Sequence, residues 1–401
     1  MNDRRFARAG ALGLAGLLAY GILTLWVTGR WALGFYQAAA LVAAAVCGIR
    51  LAARPADFRW TTLLAPLSFI PLWGLIQLAD GKTVYRWETW NSVLNWTVNF
   101  ALFWLAFQVC TRRHRREGLV TLLFSFAAAL SVISTVQMFT SGGKVFWLFP
   151  TGYTDFVLGP FVYKNQYAAF IETVLPLALY RGMTRKNPLA YWIIAGAMVA
   201  SVMASASRAG TVLVLAEVLV IPLLAAVRDG FDLRRAGFAI GSGIALSAVF
   251  TAVVGWDVIW SRLNEADPYT VRREMLRSSI RMVHDRPAIG FGLGTWSTAY
   301  PAYALYDDGL FANQAHNDWA QWAVEGGLPL AVALLIFAVL LGRLAWNCVW
   351  GFGLISVLLH SLVDYPLQQR PALAGWFFAL AGALAAAGVA KQMSSRCEPA
   401  S

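Results

Sequence analysis

Runs of roughly 17–22 predominantly apolar residues recur along almost the whole of this chain, each long enough to carry a helix across a bilayer core of about 30 Å. They begin near Ala9, Trp31, Thr61, Asn91, Leu119, Gln166, Tyr191, Gly210, Gly237, Leu328, Val349 and Pro371. Hydrocarbon cannot hydrogen-bond a peptide group, so a chain built this way resolves into transmembrane helices. Composition agrees. Charged residues make up 13% of the 401, against about 25% in a typical soluble domain. The expected fold is all-α, a polytopic integral membrane protein of about twelve helices. Residues 1–401 form one membrane domain in this reading.

Orientation follows from the basic residues. Cytoplasmic loops of membrane proteins are enriched in Lys and Arg. Here alternate loops are basic: 1–8, 50–59, 111–116, 181–186, 228–235, Arg343 and 391–396. The run Arg112-Arg113-His114-Arg115-Arg116 is the strongest marker. Both termini are then cytoplasmic. The other side receives 80–90, 141–164, the Ser207-Arg208 turn, the segment 256–327 and 365–370. Arg4, Arg5 and Arg8 ahead of an apolar run resemble a signal peptide. The run is about 18 residues long, however, and no small-residue cleavage site follows it, so a retained first helix is expected. Cys47, Cys110, Cys348 and Cys397 all fall in or near the inner side, which argues against a disulfide framework. The net charge of +11 needs no nucleic acid. Loop residues that set topology carry most of it, and no basic stripe interleaved with aromatics is present.

The one long polar interruption, 256–327, is expected to be a large helical periplasmic loop. Asp267-Pro268 is a good helix start, with the helix running to about Asp285 ahead of Arg286-Pro287. On it Arg273, Arg277 and Arg281 share one stripe, expected to face water or lipid headgroups. Arg272 is offset towards Val271, Met275 and Leu276 and is expected to be held against protein. The sequence Gly290-Phe291-Gly292-Leu293-Gly294 lacks the strand–turn–helix setting of a dinucleotide fingerprint and reads as a tight turn. A second helix is expected over about 313–325, ended by Gly326-Gly327.

Several polar residues have a functional and a bland reading. His316 is a candidate base if neutral, which an ordinary pKa of about 6.5 allows, or a structural histidine on a short helix. Asn317 or Asp318 would orient it. Arg208, among Ser205, Ala206, Ser207, Ala209 and Gly210, is a diphosphate clamp or an interfacial arginine that snorkels. Lys164 and Asn165 could meet a phosphate and a sugar hydroxyl, or simply open a helix. His360 and Asp364 lie in the outer half of a late apolar run, where ionisable groups are functional candidates or an internally satisfied pair. No close His/Cys/Asp/Glu cluster suggests a metal.

Taken in order, these pieces resemble the O-antigen ligase and O-antigen polymerase superfamily. The resemblance runs through Phe161-Val162-Tyr163-Lys164-Asn165-Gln166-Tyr167-Ala168 and Ala206-Ser207-Arg208-Ala209-Gly210. It continues from Arg272 through Asp285-Arg286-Pro287 to Gly290-Phe291-Gly292-Leu293-Gly294. It closes with Ala315-His316-Asn317, Glu325-Gly326-Gly327 and His360-Ser361-Leu362-Val363-Asp364-Tyr365-Pro366. Leu276 departs from it, since relatives often carry Trp there.

The resemblance implies an enzyme of the bacterial inner membrane with its site facing the periplasm. Arg208, Arg272 and His316 would be catalytic. Lys164, Asn165, Asn317, Arg273, Arg277, His360 and Asp364 would contact substrate. The donor would be a glycan on undecaprenyl diphosphate. The acceptor would be lipid A-core or a second lipid-linked glycan. No metal, cofactor or nucleic acid is expected, and membrane lipids are the other partner. A transporter or flippase for a lipid-linked glycan, or for a small anion such as bicarbonate, would use the same arginines without chemistry. Carriers often show internal repeats or broken helices, and neither is evident in the sequence. The orientation is testable: in a cysteine-free background, Asp307→Cys should label with a membrane-impermeant thiol reagent from the periplasm. Labelling only after the inner membrane is permeabilised would overturn the topology.

Overall fold

The computed structural model describes residues 3–152, 157–230, 232–254, 270–305, 309, 311–368 and 371–397. It is mostly helical. Among the described residues six helices are long and apolar enough to cross a membrane: Arg30–Ala53, Arg86–Val109, Arg113–Thr140, Arg208–Asp229, Asp318–Asn347 and Pro371–Ala390. Shorter apolar helices include Leu64–Ala79 and Leu189–Ala204. Asp267-Pro268 and Asp307 lie outside the described residues. The chain divides into two compact units, each assembled from three separate stretches of sequence.

The first unit comprises Met1–Leu33, Arg112–Glu265 and Leu344–His360. It holds α1 (Asp3–Leu23) and, from later in the chain, Arg113–Thr140, Lys164–Glu172, Leu175–Thr184, Leu189–Ala204, Arg208–Asp229, Leu233–Val254 and Phe352–His360. Two details depart from the sequence reading. The apolar run expected from Gln166 is two helices, broken at Thr173-Val174. Val174 leaves helical geometry and Pro176 opens the next helix, where its missing N–H costs nothing. The run from Val349 is a short 3-10 turn followed by only nine helical residues, Phe352–His360, about 14 Å of helix. A small hairpin also interrupts the all-α pattern. Lys144–Val145 pairs antiparallel with Phe149–Pro150, and Gln137 Oε1 accepts from Phe146 N at 2.8 Å.

The second unit comprises Gly34–Thr111, Ala266–Arg343 and Ser361–Ser401. In chain order its helices are α2 (Arg30–Ala53, whose first turn falls in the first unit), α3 (Leu64–Ala79), α4 (Arg86–Val109), α11 (Thr270–Asp285), α12 (Trp296–Ala299), α13 (Asp318–Asn347, whose last turn likewise does) and α15 (Pro371–Cys397). The labels α5–α10 and α14 belong to the first-unit helices just given. In lipid, helices associate through close packing and small residues. Gly382 of α15 accordingly sits against the Phe103 carbonyl of α4. Trp96, Phe103, Trp322, Phe337 and Phe378 pack edge to face or tilted in the buried interior.

The polar segment carries its own small core. On the buried face of α11, Met275 and Met282 pack with Phe291, Trp296, Tyr300, Ala315 and Val324, and Trp296 Nε1 donates to Ser279 Oγ at 3.0 Å. Arg273, Arg277 and Arg281 are exposed and Arg272 is half-buried, as the helical offset requires. The second helix starts later than the sequence suggests, at Asp318 and not near Asn313. His316 has φ 51°, which no helix accommodates, and Asn317 Oδ1 caps the helix by accepting from Ala320 N at 2.9 Å. The helix continues to Asn347 through a break at Gly327 (φ 69°, ψ −172°).

Glycines set the tight turn. Gly290, Gly292 and Gly294 all have positive φ. The turn is laced to α13 and α3: Phe291 N donates to Val324 O at 3.0 Å and Gly292 N to Glu325 O at 2.9 Å. Gln77 Nε2 donates to Ile289 O and Glu325 O at 2.6 and 2.8 Å, while its Oε1 accepts from Leu293 N at 3.0 Å. A Cβ at Gly290 would lie 2.5 Å from Glu325 O, whereas Gly81, at φ 64°, has open space around it. Gly81→Ala should therefore cost only the left-handed penalty of about 1–2 kcal/mol. Gly290→Ala should cost clearly more, and thermal unfolding of the two purified variants would show it. Equal midpoints would mean that the turn has slack.

Candidate functional site

Two chain segments, 315–318 and 361–367, are stitched together beside the first turn of α11. Asp318 N donates to Ser361 O at 2.9 Å and to Asp364 O at 3.2 Å. Leu367 N donates back to Asp318 Oδ2 at 3.1 Å, and Asn317 Nδ2 donates to Leu362 O at 2.7 Å. Both ends of this stitch carry a residue singled out by sequence: His316 on one segment, Asp364 on the other.

Asp364 is the junction. Its side chain is 1% exposed. Oδ1 accepts from Tyr365 N at 2.8 Å. Oδ2 accepts from Arg272 at 3.1 Å, and a second guanidinium nitrogen donates to Val363 O at 2.8 Å. The Arg272 fork is thus held by two fixed oxygens while its side chain keeps 27% exposure. His316 Nδ1 lies 3.9 Å from Asp364 Oδ1, beyond hydrogen-bond range. The imidazole stands edge-on to Tyr365, with ring centroids 4.8 Å apart.

Burial holds the His316 pKa below the ordinary histidine value. The Arg272 charge pushes the same way, and Asp364 opposes both. A neutral imidazole at pH 7 follows, the form able to accept a proton. A guanidinium, a neutral imidazole and a shared buried carboxylate can stabilise negative charge and take up a proton at one place.

The remaining sequence candidates are placed as follows. Arg273 and Arg277 stand on the exposed stripe, Arg277 paired with Glu274. Asn317 is a cap and a tether to the 361–367 turn, so neither it nor Asp318 touches the imidazole through its carboxylate or amide. Asp364, far away in sequence, is the acid that faces His316. Arg208, Lys164, Asn165 and His360 belong to the first unit. Arg208 is half-buried at the first position of α9, where the Ser207 hydroxyl accepts from Gly210 N at 3.3 Å. Gly210 closes onto Ala168 of α6, so at least this small neighbour serves helix packing. Asn165 is buried and donates to Tyr163 Oη at 3.0 Å. His360 is fully buried and hydrogen-bonded to Glu172 at 2.7 Å.

Two groups escaped the sequence reading. Glu172, the partner of His360, sits in an apolar run with no motif around it except its own charge, and a carboxylate inside such a run is itself a signal. Tyr365 was visible only as part of the His360–Pro366 stretch. Among the described residues no group of His, Cys, Asp and Glu is arranged to hold a metal ion.

Residues 193–335 match the family model for O-antigen ligase. The match supports the O-antigen ligase superfamily for this chain, and with it a multi-pass membrane protein. No curated protein matches. The O-antigen ligase match takes in Arg208, Arg272, Arg273, Arg277, His316 and Asn317. Lys164, Asn165, His360 and Asp364 fall outside it.

The arginines of α11 can be separated. Arg272→Ala removes a fixed guanidinium and leaves Asp364 buried without its partner. It should abolish turnover, a loss of about 2.7–4 kcal/mol of transition-state stabilisation if the arginine acts as an oxyanion-type donor. Arg273→Ala and Arg277→Ala should be mild. Equal losses for all three, at equal expression in membranes, would leave Arg272 with no special role.

Proposed function

We propose that the protein is a membrane glycosyltransferase of the O-antigen ligase or polymerase type. It would move an oligo- or polysaccharide from undecaprenyl diphosphate to a hydroxyl acceptor at the periplasmic face of a bacterial inner membrane. The acceptor is lipid A-core or a second lipid-linked glycan. The single observation that carries this reading is the convergence of Arg272 and His316 on the buried Asp364 carboxylate, within a chain of which residues 193–335 match the O-antigen ligase family model.

In this mechanism the acceptor hydroxyl attacks the anomeric carbon as the bond to the diphosphate breaks. The leaving diphosphate gains negative charge, and Arg272 stabilises it; the resemblance assigns Arg208 a catalytic role as well. His316 takes the hydroxyl proton. As the imidazolium forms, Asp364 Oδ1 lies 3.9 Å from Nδ1 and offers it a countercharge. The buried Nδ1, which has no hydrogen-bond partner among the described residues, can meet that oxygen after a small ring movement. A single displacement inverts the anomeric centre, and the arrangement needs no metal.

Support for the orientation comes from within the second unit. The turn between α3 and α4 donates from Val84 N to Phe291 O at 2.9 Å, so two segments read as periplasmic from charge share one side. A carrier remains the competing class, and the break between α6 and α7 removes helix continuity as an argument against it. Incubation of the purified protein with a synthetic lipid-linked repeat, with and without lipid A-core, decides. A ladder means polymerase, a single transfer to core means ligase, and no product sinks the transferase reading.

In the same assay His316→Ala should cut turnover by about 10²–10⁴-fold, with donor binding retained because the substitution leaves Arg272 in place. EDTA should have no effect. The native pH–rate profile should rise to a plateau through a limb below the ordinary histidine value of about 6.5, since a depressed pKa keeps the base deprotonated down to lower pH. A limb displaced well above neutrality, or near-native turnover in His316→Ala, would make His316 a packing residue.

A further inference from the structure

On the same unit, beyond the far end of α11, the turn after α3 and the segment after Asp285 enclose a cleft of about 650 Å³, within the range of small-ligand sites. Its chemistry-bearing walls are Lys82, Thr83, Asp285 and Arg286. Lys82 and Arg286 are exposed, and neither is in an ion pair with a carboxylate among the described residues. The mechanism above uses none of these residues.

The cleft is preformed. Arg286 lies flat over Phe291, its guanidinium carbon 4.6 Å from the ring centroid, an arrangement that holds the planar cation without neutralising it. A guanidinium nitrogen also reaches Lys82 O at 3.5 Å. Phe291 is in turn fixed by the glycine turn and by Val84. Asp285 is engaged on one side by Tyr303 Oη, which donates to Oδ2 at 2.7 Å. The wall therefore offers two cations and one carboxylate, while the Thr83 hydroxyl is already engaged by Thr89 and by Tyr85 N.

That combination selects a class of ligand. Two cations attract an anionic group. The Asp285 carboxylate repels a bare phosphate but accepts hydrogen bonds from hydroxyls. A hydroxyl-rich molecule carrying a single carboxylate satisfies all of these groups. The distance from Arg272 to Arg286 along α11 is about 20 Å at helical rise, so a ligand here would be sugar remote from the reacting bond. The exposed Arg273, Arg277 and Arg281 line the way between the two.

We propose that this cleft is a subsite for an acidic saccharide unit of the glycan, held by Lys82 and Arg286 with Asp285 accepting from its hydroxyls. The glycan identity rests on the transferase reading above, whereas the anion site itself does not. The test measures binding apart from turnover. Detergent-solubilised protein is titrated with a glucuronate-containing tetrasaccharide and with its carboxyl-reduced neutral counterpart. The acidic form should bind at least about tenfold more tightly. Lys82→Ala, a change at an exposed side chain, should shrink that preference, and Lys82→Ala with Arg286→Ala should remove it. His316→Ala should keep it, so that a failed transferase assay and a failed subsite remain distinguishable. Equal binding of the two saccharides overturns the proposal, as does a preference that survives the double substitution. Binding of phosphatidylglycerol vesicles that depends on Lys82 and Arg286, with no saccharide preference, would make the cleft a headgroup site and also overturn it.

Discussion

A carboxylate that is 1% exposed cannot stand alone, because desolvating an unpaired charge costs several kcal/mol. Asp364 satisfies that requirement with a guanidinium, a backbone N–H and a nearby imidazole. Each partner comes from a different part of the chain: Arg272 from the start of α11, Tyr365 from the turn itself and His316 from the strained residue ahead of α13. The demand of one buried charge thereby fixes three segments. Removing the Asp364 side chain would leave Arg272 held by the Val363 carbonyl alone, and removing Arg272 would take from the buried carboxylate its charged partner. In the proposed mechanism the same group also favours the imidazolium once a proton has been taken up.

Positioning of this cluster depends on the glycine turn and Gln77. A polar segment beside a membrane cannot rely on burying a large apolar core, and this one buries a small core around Trp296. Its backbone is pinned instead by hydrogen bonds to α3 and across the Gly327 break. Gln77 is fully buried and uses its oxygen and its nitrogen on three backbone groups of the segment. A buried amide with its bonds made rigidifies what it touches. The segment thus behaves as part of the unit.

The first unit has a parallel feature. Glu172 and His360 are both fully buried and hydrogen-bonded, joining the end of α6 to the end of α14, with Glu217 of α9 also buried. Gly353 allows α14 to approach the Glu172 carbonyl closely. These helices carry Lys164, Asn165 and Arg208. The His360–Glu172 hydrogen bond ties these two helix ends together.

Much of this was legible in the sequence because lipid imposes one-dimensional rules. Apolar runs had to become helices, and those from Trp31, Asn91, Leu119, Gly210, Leu328 and Pro371 all did. The four-residue spacing put Arg273, Arg277 and Arg281 on an exposed stripe and Arg272 off it. Glycines at Gly290, Gly292, Gly294 and Gly327 marked backbone that other residues adopt only with strain. What sequence could not supply was pairing across distance. That Asp364 and not Asp318 faces His316, that His360 belongs to Glu172, and that Lys82 meets Arg286 are decided by which segments pack together. The helix starting at Asp318, the break at Val174 and the short helix ending at His360 were hidden for the same reason. Each is dictated by a tertiary partner, a cap or a close backbone approach, and local hydropathy is blind to all three.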